Sequence, residues 1–132
     1  MKALTLRQPW ASLVAVGAKR WETRSWATGH RGQLAIHAAA HWRPETAADI
    51  PWARALAIRP DEWERLPRGA VIAIAEITAC LPAELVDPGA PESLFGDFTP
   101  GRWAWRLEGV RVLAPPLPAR GRLGLWDITL EG

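Results

Sequence analysis

Apolar and polar residues alternate over several short stretches of this chain, as expected for β-strands with one buried face. The most apolar stretch, residues 69–81, carries Val71, Ile72, Ile74 and Ile77 and gives the strongest strand prediction. The predicted strands cover residues 2–7, 20–26, 33–39, 69–81, 101–112 and 123–130. The pattern therefore indicates a protein built mainly from five or six strands.

The segments between these strands predict short helices and loops. A helix is expected over residues 9–16, because Pro9 suits the first helical position and Gly17 can end the helix. Residues 44–65 are interrupted by Pro51 and Pro60, so two short helices fit this segment better than one long helix. Residues 82–100 are rich in proline and predict a loop with short helical turns, and the turn-rich residues 114–121 separate the last two strands.

Strands of mixed length with an early helix indicate an α+β fold, in the form of a small closed or half-closed barrel with short flanking helices. A chain of 132 residues fits one domain, so we expect residues 1–132 to form a single domain with one core. No internal repeat is visible in the sequence.

Charge is distributed unevenly along the chain, although the net charge is only +2. Residues 1–43 contain seven basic residues and one acidic residue, a charge of +6, whereas residues 44–100 contain four basic and ten acidic residues, a charge of −6. The basic segment also contains tryptophans, among them Trp10 and Trp26. Positive charge combined with aromatic surfaces is typical of single-stranded nucleic acid binding.

The sequence has no recognisable leader and no apolar run near the roughly 18 residues that a membrane-spanning helix needs. Its single cysteine, Cys80, cannot form an internal disulfide. We therefore expect a soluble cytoplasmic protein that does not interact with membranes.

An ammonium, a carboxylate and a guanidinium lie within six residues at 17–24, where Lys19, Glu22 and Arg24 follow a glycine. The chain has 14 arginines and only two lysines, which makes a lysine at this position notable. A primary amine is compact and can lose its proton when it is desolvated, so it suits a nucleophile, a general base or a point contact to phosphate. The group predicts a site for a polar ligand.

Residues near this group could contribute to the same site. Arg7 and Gln8 precede the predicted helix, where an anion could dock, and Gln8 could either read a base edge or cap the helix. His37 could line the cleft near the lysine or form hydrogen bonds inside the barrel. The spacing of His37 and His41 suits two metal ligands, but no third ligand is evident, so neither a metal nor a cofactor is predicted.

Three motifs resemble the ASCH domain family: LRQPWAS at residues 6–12, GAKRWETR followed by Ser25 and Trp26, and HRGQLAIHAA at residues 30–39. The resemblance extends to PARG at residues 118–121 and to Leu125 and Trp126. It implies a fold similar to the PUA domain, a mixed β-barrel of five to six strands with short flanking helices that is found in RNA-binding proteins. It also implies that Lys19, Glu22 and Arg24 line a cleft beside the barrel.

The primary functional hypothesis is that this basic cleft binds RNA or a nucleotide-like ligand, with DNA as a possible competitor. The candidate ligand-binding residues are Arg7, Gln8, Trp10, Lys19, Glu22, Arg24, Trp26 and His37.

Two alternatives stay open. The resemblance includes small hydrolases, either ribonucleases or amidohydrolases that act on acylated nucleosides, in which Lys19 and Glu22 would be catalytic. The amidohydrolase relatives carry a threonine where this chain has Glu22, so part of their catalytic set is missing. The second alternative is a protein-interaction module in transcription or translation regulation. The sequence decides neither enzymatic activity nor oligomeric state.

Overall fold

The structure is a computed structural model that describes residues 1–41 and 60–130. The six strands are β1 (Lys2–Leu6), β2 (Trp21–Arg24), β3 (Gly32–Ala38), β4 (Ala70–Pro82), β5 (Trp103–Pro118) and β6 (Leu125–Asp127). The helical elements are the α-helix α1 (Trp10–Ala15) and short 3₁₀ helices at Pro60–Arg65, Ala83–Leu85 and Glu92–Leu94. The predicted α+β class and strand number are confirmed.

All six strands form one mixed sheet in the order β2-β5-β4-β3-β1-β6. Strands β1 and β3 are parallel, and the other neighbouring pairs are antiparallel. The pairing of β4 with β5 contains several register shifts, and such bulges bend a sheet. The sheet is therefore built to curl.

One hydrogen bond shows how far the sheet curls. Strands β2 and β1 occupy the first and fifth positions of the sheet, which would separate them by about 19 Å if the sheet were flat. Nevertheless, Arg24 Nη2 on β2 donates to Thr5 O on β1 at 3.2 Å. The sheet thus forms a curled half-barrel, as the predicted PUA-like barrel requires.

Apolar side chains cover both faces of the sheet. The larger cluster lies on one face and includes Trp105, Leu34 and Ile36, and α1 packs against it through Ala11 and Val14. The smaller cluster, on Ala3, Ala35, Val71 and Trp126, covers part of the opposite face. Because both faces are covered, the central strands are apolar at nearly every position.

The prediction of a turn at residues 114–121 is wrong in part, because β5 continues to Pro118. Strand β2 pairs with β5 only over residues 103–106, so the rest of β5 pairs with β4 alone. Proline cannot donate a ladder hydrogen bond, but it is tolerated on an edge that has no second neighbour. The proline-rich end of β5 occupies such an edge.

Strand β6 covers only Leu125–Asp127 of the predicted residues 123–130, whereas the remaining described elements lie closer to their predicted bounds. Helix α1 is one residue shorter at each end than predicted, and the loop at 82–100 carries two short helical turns. Residues 44–59 of the predicted helical segment lie outside the described residues.

In the described part of the chain, no helix is long and apolar enough to cross a membrane.

Candidate functional site

A cavity of about 490 Å³ lies where the end of β1, the start of α1, β2 and residues 94–97 meet. Its lining comprises Thr5, Leu6, Arg7, Trp10, Lys19, Glu22, Thr23, Arg24, Leu94, Phe95, Gly96 and Asp97. Five of the eight candidate residues come together here: Arg7, Trp10, Lys19, Glu22 and Arg24. This cavity, called the first cavity below, therefore brings the 17–24 motif together with Arg7 and with Trp10 at the start of α1.

Lys19 is turned inward by the end of α1. Gly17 adopts φ of +82°, which lets the chain reverse, and the Lys19 backbone N–H donates to Leu13 O at 3.0 Å. The lysine is only 2% exposed. Its Nζ donates to Trp21 O and Phe95 O, both at 2.7 Å, and lies 3.5 Å from Glu22 Oε1.

These contacts match the charged form of Lys19. An ammonium has three N–H donors, and three oxygen acceptors surround it, whereas a neutral amine would turn its lone pair toward one of those oxygens. Burial lowers the pKa of Lys19, and the neighbouring Glu22 carboxylate opposes this effect. Since the geometry supplies an acceptor for every proton, we assign Lys19 as an ammonium at neutral pH.

The lowered pKa of Lys19 can be measured directly. We expect its Cε resonance to titrate below the ordinary value of 10.5 in a ¹³C NMR titration of the Lys2→Arg variant, where Lys19 is the only lysine. Between the lowered pKa and 10.5 the unfolded chain binds more protons, so Lys19 makes the stability rise with pH in that window. The same titration in urea is the control, and identical midpoints in both would contradict the lowered pKa of Lys19 in the folded protein.

Glu22 joins the two basic residues of the motif. Its Oε2 accepts from Arg24 Nε at 3.0 Å and lies 2.9 Å from Arg24 Nη2, while Oε1 faces Lys19 and accepts from the Thr23 N–H. Arg24 is also fixed by its hydrogen bond to Thr5 O. One carboxylate therefore offsets part of the charge of both Lys19 and Arg24.

Glu92 belongs to the site although the sequence did not indicate it. The residue is 3% exposed, and its Oε2 accepts from the backbone N–H groups of Arg20 and Trp21, both at 2.7 Å. Its Oε1 lies 3.3 Å from Arg20 Nε. Glu92 thereby holds residues 91–97 against the start of β2 and helps to position Phe95 O on Lys19.

Residues 96 and 97 also line the cavity. The Asp97 N–H donates to Thr23 Oγ1 at 3.1 Å, and a Cβ on Gly96 would lie 2.8 Å from that oxygen. Hydrogen bonds from the Thr99 hydroxyl and N–H lower the pKa of Asp97. Its carboxylate adds a second negative charge to the lining. The only local sequence signal for these lining residues was Gly96 directly before the turn-like Asp97-Phe98-Thr99.

The structure places the other three candidate residues outside this lining. Gln8 Oε1 accepts from the Ser12 N–H at 3.0 Å, and Nε2 donates to Pro67 O at 2.8 Å, so Gln8 caps α1. The Ser12 N–H is therefore already bonded within the protein. Trp26 packs edge-on against Trp105, with ring centroids 4.8 Å apart.

His37 is 1% exposed and bonds inside the protein rather than to the Lys19 group. Its Nε2 lies 2.7 Å from Ala119 O, and its Nδ1 lies 3.1 Å from Thr5 Oγ1. Within residues 1–41 and 60–130, no group of three or more His, Cys, Asp or Glu side chains could hold a metal ion.

A curled six-stranded mixed sheet with few short helices is consistent with an α+β domain of the PUA-like class. More specifically, the chain belongs to the ASCH domain family, which matches residues 4–100.

Short stretches of the chain are also similar to two mammalian proteins. The chain is 60% identical over 37 residues to human activating signal cointegrator 1, which is 28% of this chain and 6% of that protein. It is 60% identical over 35 residues to the mouse protein of the same name, which is 26% of this chain and 6% of that protein. The chain thus spans a small part of the length of these relatives.

Proposed function

We propose that this domain binds RNA, or a nucleotide-like ligand, in the cavity beside β2. The observation that carries the proposal is the position of Arg7, which is exposed in the lining of the cavity beside half-buried Trp10. Among the described residues, the Arg7 side chain has no hydrogen-bond or ion-pair partner, since the one hydrogen bond of this residue is from the Ala11 N–H to its backbone O at 3.1 Å. Its guanidinium can therefore bind a phosphate. The volume of about 490 Å³ suits a ligand of nucleotide size.

The buried charges support binding rather than catalysis. A general base or nucleophile at Lys19 would need a neutral amine that reaches the substrate. Here Nζ is buried and meets three acceptors, and Glu22 is occupied by both Lys19 and Arg24. The Lys19–Glu22–Arg24 group therefore serves better as a rigid support beneath the ligand than as a catalytic pair.

Substitution of Arg7 tests the proposal. We expect Arg7→Ala to weaken binding of a single-stranded RNA oligonucleotide roughly tenfold, because a charge-assisted hydrogen bond is lost. The slope of log affinity against log salt should become shallower by about 0.7, the value for one single-strand phosphate. Fluorescence anisotropy at several salt concentrations measures both quantities.

Arg111→Ala is the matched control, since Arg111 is an exposed arginine on β5 outside the cavity lining. An equal loss of RNA affinity in both variants would mean that RNA binding depends only on the net charge of the protein. Lack of any binding by the unmodified chain would refute the proposed function. A parallel titration with DNA of the same sequence determines whether the site prefers RNA.

A further inference from the structure

A second cavity, of about 400 Å³, adjoins the first at Thr5, which lines both. Its lining comprises Thr5, His37, Ala39, Ala40, His41, Arg120, Gly121, Arg122 and Leu123. Arg120 and Arg122 are both exposed, and neither forms a hydrogen bond or an ion pair with the described part of the protein. Two arginines are thus available to a ligand at this cavity.

His37 fixes the backbone that carries these arginines. Because Ala119 O can only accept, the proton of the neutral imidazole lies on Nε2, and Nδ1 accepts from the Thr5 hydroxyl. Thr5 Oγ1 in turn accepts from Trp126 Nε1 at 3.2 Å. This chain of hydrogen bonds ties the segment after β5 to β1, β3 and β6.

Gly121 brings the same segment into close contact with the strands. A Cβ at this position would lie 2.7 Å from His37 Cε1 and 3.0 Å from Thr5 Oγ1, so only glycine fits without displacement. Arg120 and Arg122 flank this contact. Their side chains therefore extend from a backbone that is held in place.

The two cavities differ in their balance of charge. In the first cavity, Glu22 and Asp97 offset part of the positive charge. The described lining of the second cavity contains Arg120 and Arg122 and no acidic residue. A polyanion is attracted by uncompensated positive charge, and the planar guanidinium matches the geometry of a phosphate.

We propose that the second cavity is a phosphate subsite for the same RNA strand that binds at Arg7. The inference rests on the proposed function and extends it. Since Thr5 lines both cavities, neighbouring units of one strand can occupy them together, with Arg120 and Arg122 on the backbone phosphates. A single nucleotide occupies the first cavity alone. The preferred ligand is accordingly an oligonucleotide.

The test compares two probes, a short single-stranded RNA oligonucleotide and a nucleoside 5′-monophosphate, on the full chain. We expect Arg120→Ala combined with Arg122→Ala to weaken oligonucleotide binding roughly 100-fold, about tenfold for each lost charge-assisted contact. The salt slope should become shallower by about 1.4, corresponding to two phosphates. Binding of the monophosphate should stay unchanged.

Arg31→Ala combined with Arg111→Ala removes the same charge from exposed positions outside both cavities, and it should preserve most of the affinity for the oligonucleotide. Wild-type affinity of the Arg120/Arg122 variant for the oligonucleotide would overturn the subsite and leave the first cavity as the proposed site. If the Arg120/Arg122 variant lost affinity equally for the oligonucleotide and the monophosphate, the division into two subsites would be overturned. Failure of the unmodified chain to bind either probe would refute the proposed function itself, and the subsite with it.

Discussion

Replacing Lys19 with methionine is expected to lower the free energy of unfolding by about 3 kcal/mol, the lower end of the effect of breaking a buried ion pair. Methionine fills a similar volume but donates no hydrogen bond. Trp21 O and Phe95 O would lose the hydrogen bond from Lys19, and among the described residues Glu22 would keep Arg24 alone as a charged partner. The loss follows from unsatisfied buried acceptors rather than from a cavity.

The other lysine of the chain provides the matched control. Lys2 pairs with Asp127 on the surface, with side chains 40% and 77% exposed, so Lys2→Met should cost less than about 1 kcal/mol. Urea denaturation at neutral pH measures both variants. Equal stabilities for the two variants would contradict the structural role of Lys19, and the three-acceptor geometry would then not describe the native site.

Replacing Glu92 with alanine is expected to cost about 2 to 4 kcal/mol, because the part-buried N–H groups of Arg20 and Trp21 lose their charged acceptor. The substitution should also affect the loop that carries Glu92. Residues 91–97 would lose one of their attachments to β2 and keep the hydrogen bond from the Asp97 N–H to Thr23, so Phe95 O would be held less firmly on Lys19. We therefore expect weaker ligand binding together with the loss of stability.

Hydrogen exchange distinguishes this local effect from general destabilisation. In Glu92→Ala, the amides of Arg20 and Trp21 should lose more protection than the amides of β3, in the middle of the sheet. Glu84→Ala is the control, because Glu84 lies exposed on the preceding 3₁₀ helix. Uniform loss of protection across the sheet would argue against a local attachment through Glu92.

The charged residues of the first cavity are expected to have different roles. The buried group of Lys19, Glu22 and Arg24 holds β2, β1 and the 91–97 loop in fixed positions. In the proposed binding mode, the exposed Arg7 contacts the ligand. A site of this design is organised before the ligand arrives, which limits the ordering entropy that binding costs.

The sequence determined the features that depend on neighbouring residues. The pattern of apolar and polar positions predicted β1 to β4, with alternation in β1 and a nearly continuous apolar run in β4, and Pro9 and Gly17 predicted the bounds of α1 to within one residue. The motif at 17–24 was visible because its charged residues lie close together along the chain. Local spacing also determines that Glu22 can contact both Lys19 and Arg24.

Only the tertiary structure decided which distant residues complete the site. Glu92 and Phe95 lie about 70 residues beyond the motif and show no periodic signal, so their contacts depend on how the curled sheet places the 91–97 loop. The same curl brings Thr5 to Arg24 and leaves His37 bonded beneath the segment that carries Arg120. A local pattern specifies which face of a strand is buried, but the long-range packing of the sheet specifies which charges are paired within the protein and which remain available to a ligand.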